Sequence, residues 1–249
     1  MRLSIVIISW NSLPMLRRCL EALRPLLVRP DVELVWVDNG SSDGAAAFMD
    51  SAFPHARTRL LPDNRGVAYA RNRGVEMARG EYILFLDDDT EAPPHALDTL
   101  MDHLDAHPRT GVAACALRDK DGNLQDSFKP YPGLWQKIRN VLRSKLSRKP
   151  RTVALPQGVI HPVYVIGACQ MIRRDVFDRI GLLDEAIFYG PEDADLCIRA
   201  HACGWDIDYL PQVSILHHWR RITTRSLTTP ASRRHIRALL HFWRKHRRL

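Results

Sequence analysis

Cysteines are few in this sequence, and none of them forms a Cys-x-x-Cys pair. Five of the 249 residues are cysteines, scattered along the chain at Cys19, Cys115, Cys169, Cys197 and Cys203. An odd, scattered set is typical of reduced thiols in the cytosol and argues against a disulfide-bonded secreted domain. We therefore expect a cytoplasmic protein.

Long apolar runs are absent as well. No run approaches the roughly 18 residues of a membrane-spanning helix, and the apolar residues 3–8 are too few, and wrongly flanked, for a signal peptide. The composition, 45% hydrophobic and 26% charged, is that of an ordinary globular chain. A chain of 249 residues is long enough for one large α/β domain with appendages.

Two common nucleotide-binding motifs are also missing. No Gly-x-Gly-x-x-Gly follows the first predicted strand, and no Walker phosphate loop occurs in the sequence. The sequence thus indicates neither a dinucleotide-dependent enzyme nor a P-loop ATPase.

Acidic residues are missing from two long segments. Residues 127–174 and residues 209–249 each contain ten Lys/Arg and no Asp/Glu, whereas the remaining chain has 16 basic and 28 acidic residues. The formal net charge of +8 is therefore the sum of two strongly basic segments and a remaining chain that is acidic. This asymmetry indicates an anionic partner, either nucleic acid or an anionic membrane surface.

The first 90 residues alternate between β-rich apolar runs and segments with helical spacing. Strands are predicted at 3–9, 32–37, 58–62 and 82–86. The first helix is expected to begin at an N-cap, Ser12, and to end at Pro25. This β-α-β-α-β-α-β order is typical of a parallel sheet with right-handed crossovers.

The last of these strands, residues 82–86, runs directly into Asp87, Asp88 and Asp89. The carboxyl ends of strands are where open α/β sheets bind ligands. Three adjacent carboxylates repel one another unless a cation neutralises them, and Mg²⁺ or Mn²⁺ prefers such oxygen ligands. The alternative interpretation is a solvated acidic turn.

A second acidic cluster, Glu192, Asp193 and Asp195, lies near the first turn of a helix predicted from Pro191 to about residue 203. Asp195 and Arg199 have the i,i+4 spacing of an ion pair, which gives Asp195 a structural role. Glu192 and Asp193 remain as candidate general bases. Simple helix capping is the alternative.

Four further features suit a ligand site. The small polar loop 38–44 follows a strand and allows close approach of a ligand. Arg71 suits diphosphate recognition or a solvated helix face. Small residues at Gly167 and Ala168 would let a substrate approach the sheet. After one or two strands over 207–216, broken by Pro211, the pair His217-His218 offers imidazole for Mn²⁺ beside the carboxylates.

Both basic segments contain apolar residues at helical spacing. Residues 134–151 predict either a helix at a membrane interface or a helix packed on the domain with a solvated basic face. Residues 232–249 predict a basic helix with a narrow apolar stripe. The stripe residues are Ile236, Leu239, Leu240 and Trp243.

Six short motifs occur in a fixed order along the chain, namely Val6–Asn11, Val37–Gly44, Asn64-x-Gly66, Leu86–Thr90, Gly181-x-x-Asp184-Glu185 and Glu192-Asp193-x-Asp195. This ordered set resembles the inverting glycosyltransferase family 2, and especially its rhamnosyltransferase-like branch. The resemblance implies an α/β GT-A (Rossmann-like) single domain, with a central, mostly parallel sheet flanked by helices. It further implies a nucleotide-sugar-binding half at 1–118, an acceptor and catalytic half at 119–220, and a basic C-terminal helical tail at 221–249.

The resemblance also implies site residues. Asp38 would accept a hydrogen bond from a pyrimidine ring. The residues implied for the nucleotide sugar are Ser9, Trp10, Asn11, Asp38, Asn64, Arg71, Asp87 and Asp88. The residues implied for the Mn²⁺ or Mg²⁺ cofactor are Asp89 as direct ligand, Asp87, and His217 with His218 as the alternative. Asp193, or alternatively Glu192, would be the catalytic base, and Gly167 and Ala168 would lie near the acceptor.

The implied reaction is transfer of a sugar from a nucleoside-diphosphate sugar to a hydroxyl of a glycan or lipid-linked acceptor, as in bacterial cell-surface polysaccharide synthesis. Many rhamnosyltransferase-like relatives have Asn-Pro-Asp where this chain has Asp87-Asp88-Asp89. The donor is therefore left open between UDP-sugars and dTDP-sugars, dTDP-rhamnose among them. The basic segments would hold the enzyme peripherally on the inner face of the cell membrane, and no nucleic-acid partner is expected.

Three alternatives compete with this interpretation. A phosphatase of the haloacid dehalogenase type has Asp-x-Asp-x-Thr/Val, but the frame from Asp87 ends at Glu91. A sugar-nucleotide pyrophosphorylase would need a Gly-rich, Lys-containing N-terminal loop. A nucleic-acid-binding protein would explain the basic segments but leaves the acidic clusters without a role.

Overall fold

The computed structural model describes residues 1–129, 158–218 and 230–246. Its strands are β1 (Leu3–Ser9), β2 (Val32–Asp38), β3 (Arg57–Leu60), β4 (Tyr82–Asp87), β5 (Thr90–Glu91), β6 (Thr110–Arg118), β7 (Phe128–Lys129), β8 (Tyr164–Val165), β9 (Cys169–Arg173) and β10 (Asp206–His217). Its helices are α1 (Leu13–Leu27), α2 (Ala45–Ala52), α3 (Val67–Met77), α4 (Pro94–Ala106), α5 (Arg174–Ile180), α6 (Glu192–Ala202) and α7 (Pro230–His246).

The described strands form one large sheet in the order β3-β2-β1-β4-β9-β6-β10-β5, beside a small β7-β8 ribbon. The first four are parallel, as the β-α-β-α-β-α-β pattern predicts. Strand β9 enters antiparallel between β4 and β6, whereas β10 is parallel to β6. Because β1, β2 and β4 are parallel neighbours, their carboxyl ends, with Ser9, Asp38 and Asp87, meet at one edge.

Strand β4 is buried on both faces, as its continuous apolar run predicts. Leu84 and Leu86 point into a core cluster beneath α1 and α4, whereas Ile83 and Phe85 point into a second cluster beneath α3, α6 and α7. This alternation follows from the two-residue repeat of a strand. The sheet is therefore the middle layer of the domain, with packed helices on either side.

Two predicted boundaries are wrong. Helix α1 does not end at Pro25 but continues to Leu27. Leu26 is fully buried there, and its burial compensates for the hydrogen bond that Pro25 cannot donate. Pro211 does not break the strand either. Strand β10 is continuous, and its register against β6 shifts between Leu210 and Ser214, so that the irregularity accommodates the proline.

The predicted C-terminal helix forms, and its apolar stripe is wider than predicted because Phe242 extends it. Leu239, Phe242 and Trp243 are buried, whereas Ile236 and Leu240 remain 42% and 55% exposed. One part of the stripe therefore packs on the domain, and the adjoining edge stays exposed. No helix in the described ranges is both long and apolar enough to cross a bilayer. The helix predicted at 134–151 lies outside the described residues.

Candidate active site

The three consecutive carboxylates at the end of β4 contact three different partners. Asp87 accepts a hydrogen bond from Arg71, and Asp88 accepts one from the hydroxyl of Ser12. Ser12 is the N-cap residue of α1 through its backbone carbonyl, while its side chain makes no cap hydrogen bond and holds the acidic turn. The buried hydroxyl of Thr90 donates to the carbonyl of Asp87 over 2.8 Å and closes the turn. As a result, Asp89 is directed toward β10.

Asp87, Asp89 and His217 form a cluster suited to a divalent cation. Each offers one ligand atom, and these atoms lie within 4.8 Å of one another. The His217 ring donates through Nδ1 to Oε1 of Gln125 over 2.7 Å, while Nε2 lies 3.4 Å from the Asp89 carboxylate. A histidine whose second nitrogen is held in this way presents a fixed lone pair to a metal. Two carboxylates and one imidazole therefore fit Mn²⁺ or Mg²⁺.

The electrostatics of this cluster favour a cation. Burial raises the pKa of Asp87, and the charge of Asp89 raises it further, against the lowering effect of Arg71. Burial lowers the pKa of His217, but the hydrogen bond and charge of Asp89 outweigh it, so that this pKa is raised. The raised pKa of His217 and the repulsion between Asp87 and Asp89 show negative charge gathered at this site. His218 contacts Glu91 instead, at 2.6 Å, so His217 is the histidine in the cluster.

Arg71 connects the acidic cluster to the second half of the domain. Its side chain is buried, with the residue 4% exposed, and Nη2 donates to Asp87 over 2.8 Å and to the carbonyl of Gly167 over 2.7 Å. Nη1 lies 3.7 Å from the Glu192 carboxylate. One guanidinium thus joins the end of β4, the β8–β9 loop and the start of α6.

Gly167 allows this close contact. A Cβ atom there would lie 2.3 Å from Nη1 of Arg71, so the space left by the missing side chain is filled by the guanidinium. The Gly167 amide donates to the Asp193 carboxylate over 3.3 Å, and the carbonyl of buried Ala168 accepts from the Asp87 amide. The small residues at 167 and 168 therefore bring the two acidic clusters together. Their contact with an acceptor stays a prediction.

Glu192 and Asp193 begin α6 in different surroundings. Glu192 is buried, and its Oε2 atom has no hydrogen-bond partner in the described part of the chain. Burial and the charge of Asp193 raise the pKa of Glu192 to about 7, although Arg71 opposes them. Asp193 is half-buried and accepts from the amides of Gly167 and Ala194. Asp195 pairs with Arg199 at 2.8 Å, which confirms its predicted structural contact.

The residues predicted to bind the nucleoside surround the carboxyl ends of β1 and β2. Asp38 is buried, and both its oxygens accept from the Ser41 amide. Trp10 is 52% exposed beside this loop. Asn11 has a φ of 48° and accepts from the Ser42 amide over 2.8 Å, which links the two loops. An exposed indole beside a fixed carboxylate leaves an aromatic face available for a planar base.

Two other predicted nucleoside residues hold the surrounding backbone. The hydroxyl of Ser9 is buried and accepts from the Trp36 indole over 2.9 Å. The Asn64 side chain accepts from Asn39 and from the Gly66 amide, at 3.2 and 3.0 Å. Gly66 has a φ of 92° and packs against the backbone of Phe188, which leaves no room for a side chain. Contacts of Ser9 and Asn64 with a ligand stay predictions.

Sequence reasoning missed Gln125 and the side-chain partner of Ser12. Gln125 binds both the ring and the carbonyl of His217, although the two residues are 92 positions apart. No periodicity or motif marks such a contact. Ser12 is the N-cap residue of α1, as predicted, but its hydroxyl donates to Asp88 instead of bonding a helix amide.

Comparison with known proteins agrees with this geometry. Residues 4–181 match the family Glycosyl transferase family 2. The N-acetylglucosaminyl-diphospho-decaprenol L-rhamnosyltransferase of Mycobacterium tuberculosis is 31% identical over 250 residues, which cover 92% of this chain and 79% of that protein.

Two solved structures share the fold. The mannosyltransferase PcManGT of Pyrobaculum calidifontis, in complex with GDP-Man and Mn²⁺, superposes with a TM-score of 0.61 at 20% identity, over 89% of this chain and 58% of that one. GalNAc-T7 with UDP, GalNAc and Mn²⁺ superposes with a TM-score of 0.68 at 16% identity, over 99% of this chain and 50% of that one. At such identities the likeness shows the fold alone, and it confirms the predicted α/β GT-A architecture. Since the family match spans well over half of the chain and a relative of known activity aligns with nearly all of it, this chain belongs to glycosyl transferase family 2 and is a glycosyltransferase.

Proposed function

We propose that this enzyme transfers a sugar from a nucleoside-diphosphate sugar to a hydroxyl of a glycan or lipid-linked acceptor, with inversion at the anomeric carbon. The observation that supports it best is the Arg71 network, which joins the acidic cluster at Asp87 to both candidate bases on α6. If the diphosphate binds at the Asp87–Asp89 cluster, the attached sugar would lie toward Glu192 and Asp193.

In this proposal the nucleoside lies against Trp10, with Asp38 accepting a hydrogen bond from the base. Asn11 holds the loop at Ser42 and Asn64 holds the loop at Gly66, while Ser9 binds the buried Trp36 indole between β1 and β2. Asp88, held by Ser12, orients the acidic turn beneath the ribose. This arrangement uses the carboxyl edge of the sheet, where ligands of α/β proteins bind.

Asp87, Asp89 and His217 would hold the divalent cation, with Gln125 orienting the histidine. A cation held by these residues would supply positive charge against the charge that develops on the departing diphosphate. Arg71 balances the remaining charge of Asp87 and keeps that carboxylate aimed at the cluster. The Mn²⁺ ions named for PcManGT and GalNAc-T7 belong to those proteins and make Mn²⁺ the first ion to test.

Asp193 is our candidate for the catalytic base. The carboxylate would accept the proton of the acceptor hydroxyl as that oxygen attacks the anomeric carbon from the face opposite the diphosphate. One displacement inverts the configuration and needs no covalent enzyme intermediate. Glu192 is the second candidate, since its raised pKa and unpartnered Oε2 are features of a proton-transfer group.

The donor class we propose is a UDP- or dTDP-sugar, used for bacterial cell-surface polysaccharide. The name of the mycobacterial relative specifies an L-rhamnosyl group and a decaprenol-linked acceptor. Those words support a dTDP-rhamnose donor and a lipid-linked acceptor for this chain. The acidic run Asp87–Asp89 differs from the Asn-Pro-Asp of many rhamnosyltransferase-like relatives, so UDP-sugars remain candidate donors.

A nucleotide panel tests this function through the free energy of unfolding. Mn²⁺ together with UDP or dTDP at about 100 times its Kd should stabilise the enzyme by about 2.7 kcal/mol, which raises the Tm by about 5 to 10 °C. Asp89→Ala should abolish the metal-dependent part of the shift, whereas the exposed control Asp121→Ala should keep it. GDP, CMP and ADP complete the panel. Stabilisation by RNA or DNA without any nucleotide response would contradict the proposal.

Helix α7 supports peripheral binding to an anionic membrane. Its outward face combines two exposed aliphatic side chains with three exposed arginines, and no acidic residue occurs along the helix. The residues are Arg233, Ile236, Arg237, Leu240 and Arg244. Arginines near an anionic surface contribute about 1 kcal/mol each, and the aliphatic side chains can enter the interface.

Vesicle partitioning tests this surface. Replacing Arg233, Arg237 and Arg244 together by Gln should weaken binding to phosphatidylserine vesicles by roughly 100-fold, because about 3 kcal/mol of attraction is lost. The matched control replaces three exposed arginines elsewhere, Arg18, Arg24 and Arg109, and we expect less than threefold weakening. Equal weakening by both triple variants would assign the binding to net charge instead of α7.

A further inference from the structure

Helix α7 packs on the helix that carries both candidate bases. Its inward face is buried and belongs to the same core cluster as the apolar face of α6. The α7 residues in this cluster are Leu239, Phe242 and Trp243, and the α6 residues include Ala194, Leu196, Cys197 and Ala200. The C-terminal helix is therefore part of the catalytic half of the domain.

Two residues at the end of α7 bind a buried carboxylate of α6. Asp195 is fully buried, one half-turn after Asp193. Besides Arg199, it contacts Nζ of Lys245 at 2.8 Å and accepts from Nε2 of His246 over 2.9 Å. A buried carboxylate needs such partners, because its charge is costly without them. Two of the three come from α7.

Lys245 also reaches the beginning of the segment that leads into α6. Its Nζ donates to Asp184 over 2.8 Å, and His241 donates to the same oxygen over 2.9 Å. Burial would raise the pKa of Asp184, but these two hydrogen bonds outweigh it and lower the pKa to about 2. Lys245 thus bridges Asp184 and Asp195, the two ends of the segment 184–195.

The middle of this segment contacts the start of α7. Nδ1 of His235 donates to the carbonyl of Tyr189 over 3.1 Å. Gly190 has a φ of 77°, and a Cβ there would lie 2.6 Å from the His235 ring. The guanidinium of Arg234 lies 4.4 Å from the ring centroid of Phe188. The loop before Glu192 and Asp193 is therefore held against α7 along its length.

We propose that α7 positions the segment 184–195, and with it the catalytic base, through Lys245 and His235. Lys245 contacts Asp184 and Asp195, and His235 contacts the backbone at Tyr189 and Gly190, so we assign both as positioning residues that act through this segment. This inference rests on the proposed function, because it assumes that the base lies on α6. It assigns the C-terminal helix a part in the chemical step, in addition to any membrane contact.

The test compares Lys245→Ala with Lys245→Arg and with Lys120→Ala, a control that removes an exposed lysine with one exposed ionic partner. Using a water-soluble acceptor, Lys245→Ala should lower kcat roughly 10- to 100-fold, the effect of a small misplacement of a catalytic group. The KM for the donor and the Kd for the metal–nucleotide complex should change less than twofold. Lys245→Arg should recover most of kcat, and Lys120→Ala should match the wild type.

Hydrogen–deuterium exchange gives a readout that does not require activity. Lys245→Ala should speed exchange of the amides at 188–193 at least tenfold and leave those of β1 and β2 unchanged. His235→Ala, a second variant for use if the first fails to fold, should affect the same amides. Unchanged kcat and unchanged exchange in Lys245→Ala would overturn the inference. Lack of transfer by the wild-type enzyme from every nucleotide sugar would instead overturn the proposed function.

Discussion

Replacing Asp193 with Asn should lower kcat by about 10²- to 10⁴-fold, the usual contribution of a general base. The change keeps the shape of the side chain, and the proposed nucleoside-binding residues Trp10 and Asp38, at the carboxyl ends of β1 and β2, are untouched. The KM for the donor and the Tm should therefore stay near their wild-type values. Steady-state kinetics with saturating Mn²⁺, and thermal unfolding of the same samples, would measure both effects.

Glu192→Gln is the matched variant for this experiment, because the two carboxylates are adjacent. The pKa of Glu192 is raised to about 7, so a reaction that needs ionised Glu192 would lose activity as the pH falls below 7, tenfold per unit. If Asp193 is the base, the pH–activity profile of the wild-type enzyme should not show this loss of activity below pH 7. Two results together would reassign the base to Glu192: near-normal transfer by Asp193→Asn, and a loss of activity below pH 7 that disappears in Glu192→Gln.

Replacing Arg71 with Met should destabilise the fold by about 3 kcal/mol. The guanidinium is buried, and its loss leaves the carboxylates of Asp87 and Glu192 and the carbonyl of Gly167 without their shared donor. Removing one partner from a buried ionic network costs more than the pair itself contributes, because a charge stays behind in a medium of low polarity. Urea unfolding at pH 7 would measure the change in free energy.

Arg59→Met is the control for that measurement. Arg59 is 45% exposed at its side chain and lies 3.5 Å from Glu76, and a surface pair of this kind contributes at most about 1 kcal/mol. The cost of Arg71→Met should shrink at pH 5, because Glu192 is protonated there in both proteins and its ion pair with the guanidinium no longer contributes. Equal costs for the two variants would mean that Asp87 and Glu192 do not depend on the guanidinium.

The fold and the location of the acidic turn follow from local sequence signals. The apolar run of β4 is long enough to be a strand buried on both faces, and the alternation of strands and helices up to Asp87 leads to parallel order. The contact between Asp195 and Arg199 is equally local, since helical spacing alone brings them together. Such features depend on residues only a few positions apart.

The partners within the site do not follow from local signals. Arg71 meets Gly167 across 96 positions, and this contact exists because β9 enters antiparallel beside β4. Which part of the apolar stripe on α7 is buried is likewise decided by the fold, since Leu239, Phe242 and Trp243 pack on the domain while Ile236 and Leu240 stay exposed.

The sequence by itself determined the family, the α/β class and the positions of the two acidic clusters, because strand length, residue spacing and carboxylate runs are properties of short segments. Only the tertiary structure decided that Gln125 orients His217, that Arg71 joins the two clusters, and that α7 braces the segment before Asp193. Those contacts link residues from distant parts of the chain, and sheet order and core packing bring them within hydrogen-bonding distance.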